Sequence, residues 1–196
     1  MYDSFAEDYI PVPMKFVDFI TRKEWKAKLP RRPFFEKQIP QRITVHHFIG
    51  FDEDISAKQM YGFDGIETML ALQKHDMKVL QLNDIAYHLI IDREGKVWEG
   101  RDFDCVGNHV KSNNTNNIGI LLYGNFQIEE PTNGMIIAFK RSLIEIKVLF
   151  PNLDIPKCIF SHREFTFTEC PGEHLYDIIN NIKWGTNSIY DGVDEQ

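Results

Sequence analysis

The stretch NIGILLYGNF, residues 117–126, is almost continuously apolar. A strand with one wet face alternates apolar and polar residues, and this one does not. It therefore reads as a strand buried on both faces, as in a parallel sheet covered by helices. Working outward, RITVHHF (42–48) is short, β-branched and apolar, a second strand. AYHLIIDREGKVWEGR (86–101) reads as strand, turn, strand, with Glu94-Gly95 as the hairpin signal. PKCIFSH (156–162) reads as a further short strand. Helices are expected between them. IETMLALQKHDMK (66–78) has apolar residues at Ile66, Met69, Leu70 and Leu72. MIIAFKRSLIEIKVLF (135–150) follows Thr132 as N-cap and is closed by Pro151. HLYDIINNIKW (174–184) ends at Gly185. The pattern predicts an α/β fold, a single domain with a central mixed β-sheet flanked by helices.

The 196 residues are enough for one domain with a real core. Apolar residues make up 43% and charged residues 26%, an ordinary globular balance. The formal net charge of -7, with no basic run, argues against a nucleic-acid binder. It also gives no electrostatic pull toward anionic membranes or other anionic polymers. Cys105, Cys158 and Cys170 are too few for a disulfide framework, and their odd number leaves a free thiol. Residues 1–20, with Pro11 and Pro13, read as an irregular leader that lacks the basic start and apolar stretch of a signal peptide. No segment approaches the ~20 apolar residues of a membrane span. The chain is thus expected to be made in the cytoplasm, with any release by lysis or a non-classical export route. RKEWKAKLPRRPFFEKQIPQ (22–41), with Pro30, Pro33 and Pro40, reads as extended and turn-rich, and FDEDISAKQMYGFDG (51–65) as a loop. Residues 185–196 form an acidic tail, expected to be mobile.

SHREFTFTECPG (161–172) places His162 and Cys170 eight residues apart. Imidazole and thiolate are zinc donors, and a catalytic zinc keeps one position open for water. The intervening EFTFTE is long enough to loop out and return. A third ligand is available from His46-His47 on the 42–48 strand. Neighbouring strand residues point to opposite faces, so only one of the two reaches the site. Taken alone, such a pair is more often a loop cysteine of no consequence. His75, His88 and His174 read as exposed or satisfied, without a ligand role. Cys105 and Cys158 read as small buried apolar residues.

TVHHF (44–48), AYHLIIDREGKVWEGRD (86–102), VGNHV (106–110), NNIGILLYGNF (116–126) and SHREFTFTECPGEHL (161–175) occur in that order. Together they resemble the zinc-dependent N-acetylmuramoyl-L-alanine amidases of type 2. That family includes phage amidase-type lysozymes and peptidoglycan recognition proteins. The resemblance runs from about Ile20, where FITRKEW matches, to Trp184, which makes residues 21–184 the amidase domain. It implies one Zn²⁺ per chain, held in a cleft on one face by His46, His162 and Cys170, with His47 turned away. Relatives that have lost catalysis usually lack the cysteine, and Cys170 is present. Two neutral imidazoles and one thiolate leave the zinc a net charge of about +1, enough to polarise a carbonyl and acidify a water. Tyr87 matches the tyrosine placed beside the reacting water, and a phenol there can hydrogen-bond a tetrahedral intermediate. Thr168 stands where phage relatives carry a lysine and several recognition proteins a threonine, so it can donate to an oxyanion without bringing charge. Asn108, His109 and Asn114 resemble the part of the cleft that contacts muramyl sugar and stem peptide. Arg101 either joins that surface or braces it.

The implied activity is hydrolysis of the amide between N-acetylmuramic acid and L-alanine, in a cell-wall lytic, endolysin-like, antimicrobial role. Peptidoglycan or a muropeptide is the partner, and the chain is expected to act as a monomer. Two neighbouring readings stay open. One is a recognition module that binds peptidoglycan without cutting it, against which His46, His162, Cys170 and Tyr87 all argue. The other is a cytoplasmic muropeptide-recycling amidase. That branch uses a glutamate on the strand where this chain has Leu121 and Leu122.

Overall fold

In the computed structural model, which describes residues 17–31, 36–50 and 65–193, Asn117–Tyr123 is a seven-residue strand buried along its whole length. It is β5. On one side it pairs in parallel with β2 (Arg42–Phe48), and on the other with β3 (Leu89–Ile91). Beyond β2 lies β6 (Ile159–Ser161), also parallel. Beyond β3 lie β4 (Val97–Glu99), antiparallel to it, and β1 (Phe19–Ile20), parallel to β4. The sheet is mixed, with the order β1-β4-β3-β5-β2-β6. The β3–β4 hairpin closes on Asp92, whose Oδ1 accepts from the Glu94 and Lys96 N–H groups, each at 3.0 Å. Gly95 sits there at φ +86°, and a Cβ would fall 2.7 Å from the Gly134 carbonyl oxygen, so glycine is required.

Alternation along the strands sends two sets of side chains to two cores. Ile43, Val45, Ile118, Ile120 and Leu122 face α2 (Asn133–Leu149) and α4 (Glu173–Lys183), through Phe139, Leu143, Leu175 and Ile179. Leu121 and Ile90 face the other way, onto Trp25 and onto Met69 and Leu72 of α1 (Gly65–Lys78). Each of these side chains contributes about 1.5–3 kcal/mol by leaving water. Trp25 is fully buried and satisfies its indole N–H on the Glu99 carbonyl at 2.8 Å. The predicted cap of α2 is present, with the Thr132 hydroxyl accepting from the Met135 N–H.

Four expectations change. The 156–162 strand is shorter than predicted, because Ile155–Cys158 winds into one helical turn, α3. Pro156 lies in its first turn, where a missing N–H costs nothing. Tyr87 and His88 precede β3 instead of lying in it. The leader is not wholly irregular: Phe19 and Ile20 extend the sheet beside Val97 and Trp98, while residues 1–16 lie outside the described residues. The segment after Gly185 is docked up to Val193. Ile189 is buried in the core, and Lys140 and Arg141 donate to the carbonyls of Asp191 (2.9 Å) and Val193 (3.0 Å). The predicted loop at 51–65 falls outside the described residues except for Gly65, which starts α1. No helix among the described residues is long and apolar enough to cross a membrane.

Candidate metal centre

Val45 of β2 and Ser161 of β6 stand in register, so the next residues, His46 and His162, come side by side at the carboxyl ends of two parallel strands. This is where parallel sheets commonly place their ligands. Their ring centroids are 4.5 Å apart. His162 opens a 3₁₀ turn (His162–Glu164) fixed by reciprocal capping. The Ser161 N–H donates to Glu164 Oε1 at 2.7 Å, and Lys183 pairs with the same carboxylate. The chain then loops out and returns as the spacing predicted. The Arg163 N–H meets the Cys170 carbonyl at 3.1 Å, and its guanidinium holds the Glu169 carbonyl (2.6 Å) and Glu173 (2.8 Å).

Cys170 Sγ ends up 3.8 Å from His46 Nδ1, and accepts from the His47 N–H at 3.4 Å. The donor atoms of His46, His162 and Cys170 all lie within 4.8 Å of one another. Tetrahedral zinc with two nitrogens and one sulfur spaces them about 3.3–3.6 Å apart, close to the 3.8 Å between His46 Nδ1 and Cys170 Sγ, so the donor set suits the ion. Burial, then the neighbouring His109, His162 and His47, holds His46 well below the usual imidazole range, and burial lowers His162 too. Both shifts favour the neutral ring that a metal ligand must be. Burial pushes the Cys170 thiol up to about 12, against the opposing His47 N–H and Arg163. The thiolate therefore forms when a cation binds beside it. A second cluster, Asp102, Asp104 and Cys105, is engaged by Lys37, whose ammonium pairs with Asp104 at 2.6 Å.

Tyr87 lies edge-on to His46, with ring centroids 5.2 Å apart. Burial first, then Cys170 and Asp76, raises its phenol above the normal range, so it remains an O–H donor. His47 does face away, toward Phe126 in the other core, with ring centroids 6.4 Å apart. Among the described residues its buried Nδ1 has no hydrogen-bond partner. Thr168 is tied locally: its hydroxyl accepts from the Cys170 N–H at 3.2 Å, leaving the hydroxyl hydrogen to donate elsewhere.

The substrate-facing set divides. Asn108 is exposed. Asn114 is committed to the loop, its Oδ1 accepting from the N–H groups of His109 (2.8 Å) and Val110 (2.7 Å). His109 is 7% exposed with both ring nitrogens engaged, by His46 Nε2 at 3.0 Å and the Asn117 carbonyl at 3.2 Å. Arg101 braces this region: it is buried and donates to the carbonyls of Ile85, Val106 and Asp84. The other histidines carry the bland roles expected of them. His75 pairs with Asp76, His174 pairs with Glu130, and His88 is buried and bonded. Sequence reading missed Glu164 and Gln38. Glu164 was legible in principle, since Ser-x-x-Glu is a capping-box spacing. Gln38, which ties the Phe103 and Cys105 carbonyls to the Asn117 N–H, carries no local signal.

The model of the N-acetylmuramoyl-L-alanine amidase family matches residues 36–173, a span that holds all three metal-ligand candidates. The chain belongs to the type 2 amidase family. The amidase domain's relatives include peptidoglycan-recognition protein SD of Drosophila melanogaster, 32% identical over 166 residues, which are 83% of this chain and 84% of that protein. The crystal structure of Drosophila recognition protein SD superposes with a TM-score of 0.70 at 31% identity, covering 88% of this chain and 97% of the other. An N-acetylmuramoyl-L-alanine amidase of Sus scrofa is 28% identical over 111 residues, 57% of this chain and 19% of that protein. A mutant of Drosophila recognition protein LB, solved in complex with tracheal cytotoxin, matches at a TM-score of 0.68 and 27% identity, covering 87% and 96% of the two chains.

Proposed function

We propose that this amidase-family chain is a zinc-dependent hydrolase that cleaves the amide between N-acetylmuramic acid and L-alanine in peptidoglycan. The observation that carries the reading is the convergence of His46, His162 and Cys170 within 4.8 Å, with Tyr87 edge-on to His46. Zinc, when bound there, supplies a Lewis acid that polarises the lactyl carbonyl and lowers the pKa of water. The chain's own groups do the rest. Tyr87 stays protonated and donates to the oxygen that gains charge when the carbonyl becomes tetrahedral. Thr168, positioned by the Cys170 N–H, offers a second, uncharged donor. Asn108 presents an exposed amide to the sugar and peptide. That a recognition-protein relative was solved with tracheal cytotoxin supports a muropeptide-type ligand for this fold.

Binding without cutting is the competing reading, favoured by the recognition proteins among the relatives. The complete ligand set and Tyr87 support hydrolysis over it. A recycling amidase is less well supported, because Leu121 and Leu122 are both fully buried where that branch carries its glutamate. Digestion of purified peptidoglycan tests the proposal: new L-alanine N-termini without new reducing ends support it, and tight binding with no new termini refutes it.

A further inference from the structure

His109 is nearly buried, and both of its ring nitrogens are engaged within the protein. Its Nε2 lies 3.2 Å from the Asn117 carbonyl oxygen, which can only accept, so Nε2 carries a hydrogen. A buried imidazole whose outer partner is a carbonyl is neutral and carries one hydrogen only. Its Nδ1, 3.0 Å from His46 Nε2, is therefore an acceptor, and His46 Nε2 carries the donated hydrogen. That leaves His46 Nδ1, the atom 3.8 Å from Cys170 Sγ, as a bare lone pair. The direction of the chain is fixed at its far end by a backbone carbonyl of β5.

The slot for this ring is built into the backbone. A Cβ on Gly119 would lie 2.6 Å from the His109 ring, and one on Gly107 2.7 Å from it. A glycine inside a strand costs about 0.5–1 kcal/mol relative to alanine, and here it makes room for an imidazole against the sheet. Asn114 fixes the loop by accepting from the backbone N–H groups of His109 and Val110.

We infer that His109 is a positioning residue for the metal ligand His46: the Asn117–His109–His46 chain sets the His46 tautomer and aims Nδ1 into the site. Asn114, Gly107 and Gly119 serve the same end by holding His109. This rests on the zinc reading proposed above. Groups that orient a metal-bound histidine typically change metal affinity by about 10–100-fold when removed.

The test measures zinc affinity by chelator competition, with the cobalt-substituted absorption spectrum as a second readout, in wild type, His109→Leu and His109→Asn. The leucine variant keeps bulk and loses the acceptor. The asparagine variant sets an amide oxygen near the place of Nδ1. The inference expects about 10–100-fold weaker zinc and an altered cobalt spectrum in His109→Leu, at an apo-protein melting temperature close to wild type. It expects His109→Asn to recover affinity to within about threefold. His109→Phe, closer in shape, stands in if the leucine variant does not fold. Wild-type zinc affinity in His109→Leu or His109→Phe overturns the positioning role and leaves the zinc reading intact. So does an asparagine variant as weak as the leucine one. A wild-type chain that binds no zinc overturns the zinc reading, and this inference with it.

Discussion

His88 should make the metal-free protein acid-sensitive in a way a single substitution isolates. Its ring is fully buried. Nδ1 accepts from the Gly119 N–H at 2.8 Å, so Nε2 carries the hydrogen and donates to the Cys105 carbonyl at 2.9 Å. A second proton would have to go on Nδ1, where it faces the Gly119 N–H, donor against donor. Burial, opposed by the Cys105 bond and assisted by Arg101, brings the ring down to about 4 from 6.5. The unfolded chain takes up the proton near pH 6.5 and the native chain only near pH 4. Between those values the unfolded state binds more protons, so stability is full above about pH 6.5 and falls as the pH drops. The slope is about 1.4 kcal/mol per pH unit, and the total roughly 3 kcal/mol. His88→Asn keeps an oxygen that can accept from Gly119 and cannot titrate. Denaturant unfolding with chelator present, from about pH 7.5 to about pH 4.5, should show wild type losing this extra stability relative to the variant. A stability difference independent of pH, or a His88 ring titrating near 6.5 in the native protein by NMR, refutes the reasoning.

Tyr87→Phe should stay folded and zinc-loaded while losing about 10²- to 10⁴-fold in turnover on peptidoglycan. Retention of more than about half the wild-type rate makes Tyr87 a packing residue. Cys170→Ser should lose zinc and activity together in metal analysis, and full zinc occupancy in that variant contradicts the ligand assignment. Gly119→Ala should destabilise the fold by about 1–3 kcal/mol in denaturant titrations, because its Cβ falls 2.6 Å from the His109 ring. Zinc should dissociate below about pH 5–6 as the ligands take up protons, with activity recovered on neutralisation and added zinc; full activity with retained metal at about pH 4 contradicts an accessible His₂Cys site.

What the sequence made legible was what periodicity and spacing encode. The unbroken apolar run at 117–126 announced a strand buried on both faces, and β5 is the strand between β2 and β3. Alternation across His46-His47 said that one ring serves the site, and the sheet sends His47 toward Phe126. The eight-residue spacing of His162 and Cys170 was enough for a returning loop, and Arg163 closes it. Roles that depend on long-range hydrogen bonding were not legible. His109 and Asn114 look like surface polar residues in VGNHVKSNN, and only the register of β5 shows that the Asn117 carbonyl and the Gly119 gap receive the His109 ring. Arg101 could have gone either way on charge alone, and its three carbonyl acceptors are visible only in the fold. The acidic tail looked solvated by composition, but one apolar residue, Ile189, reaches the core and anchors it.

The most direct test of the central claim is mass spectrometry of purified peptidoglycan digested by zinc-loaded and by chelator-stripped protein. The account predicts free stem peptides beginning with L-alanine, and intact glycan strands, from the zinc-loaded digest. It predicts neither from the stripped one, with release restored on adding zinc. Peptidoglycan left uncut by fully zinc-loaded protein, or cut with the same products after zinc is removed, contradicts it.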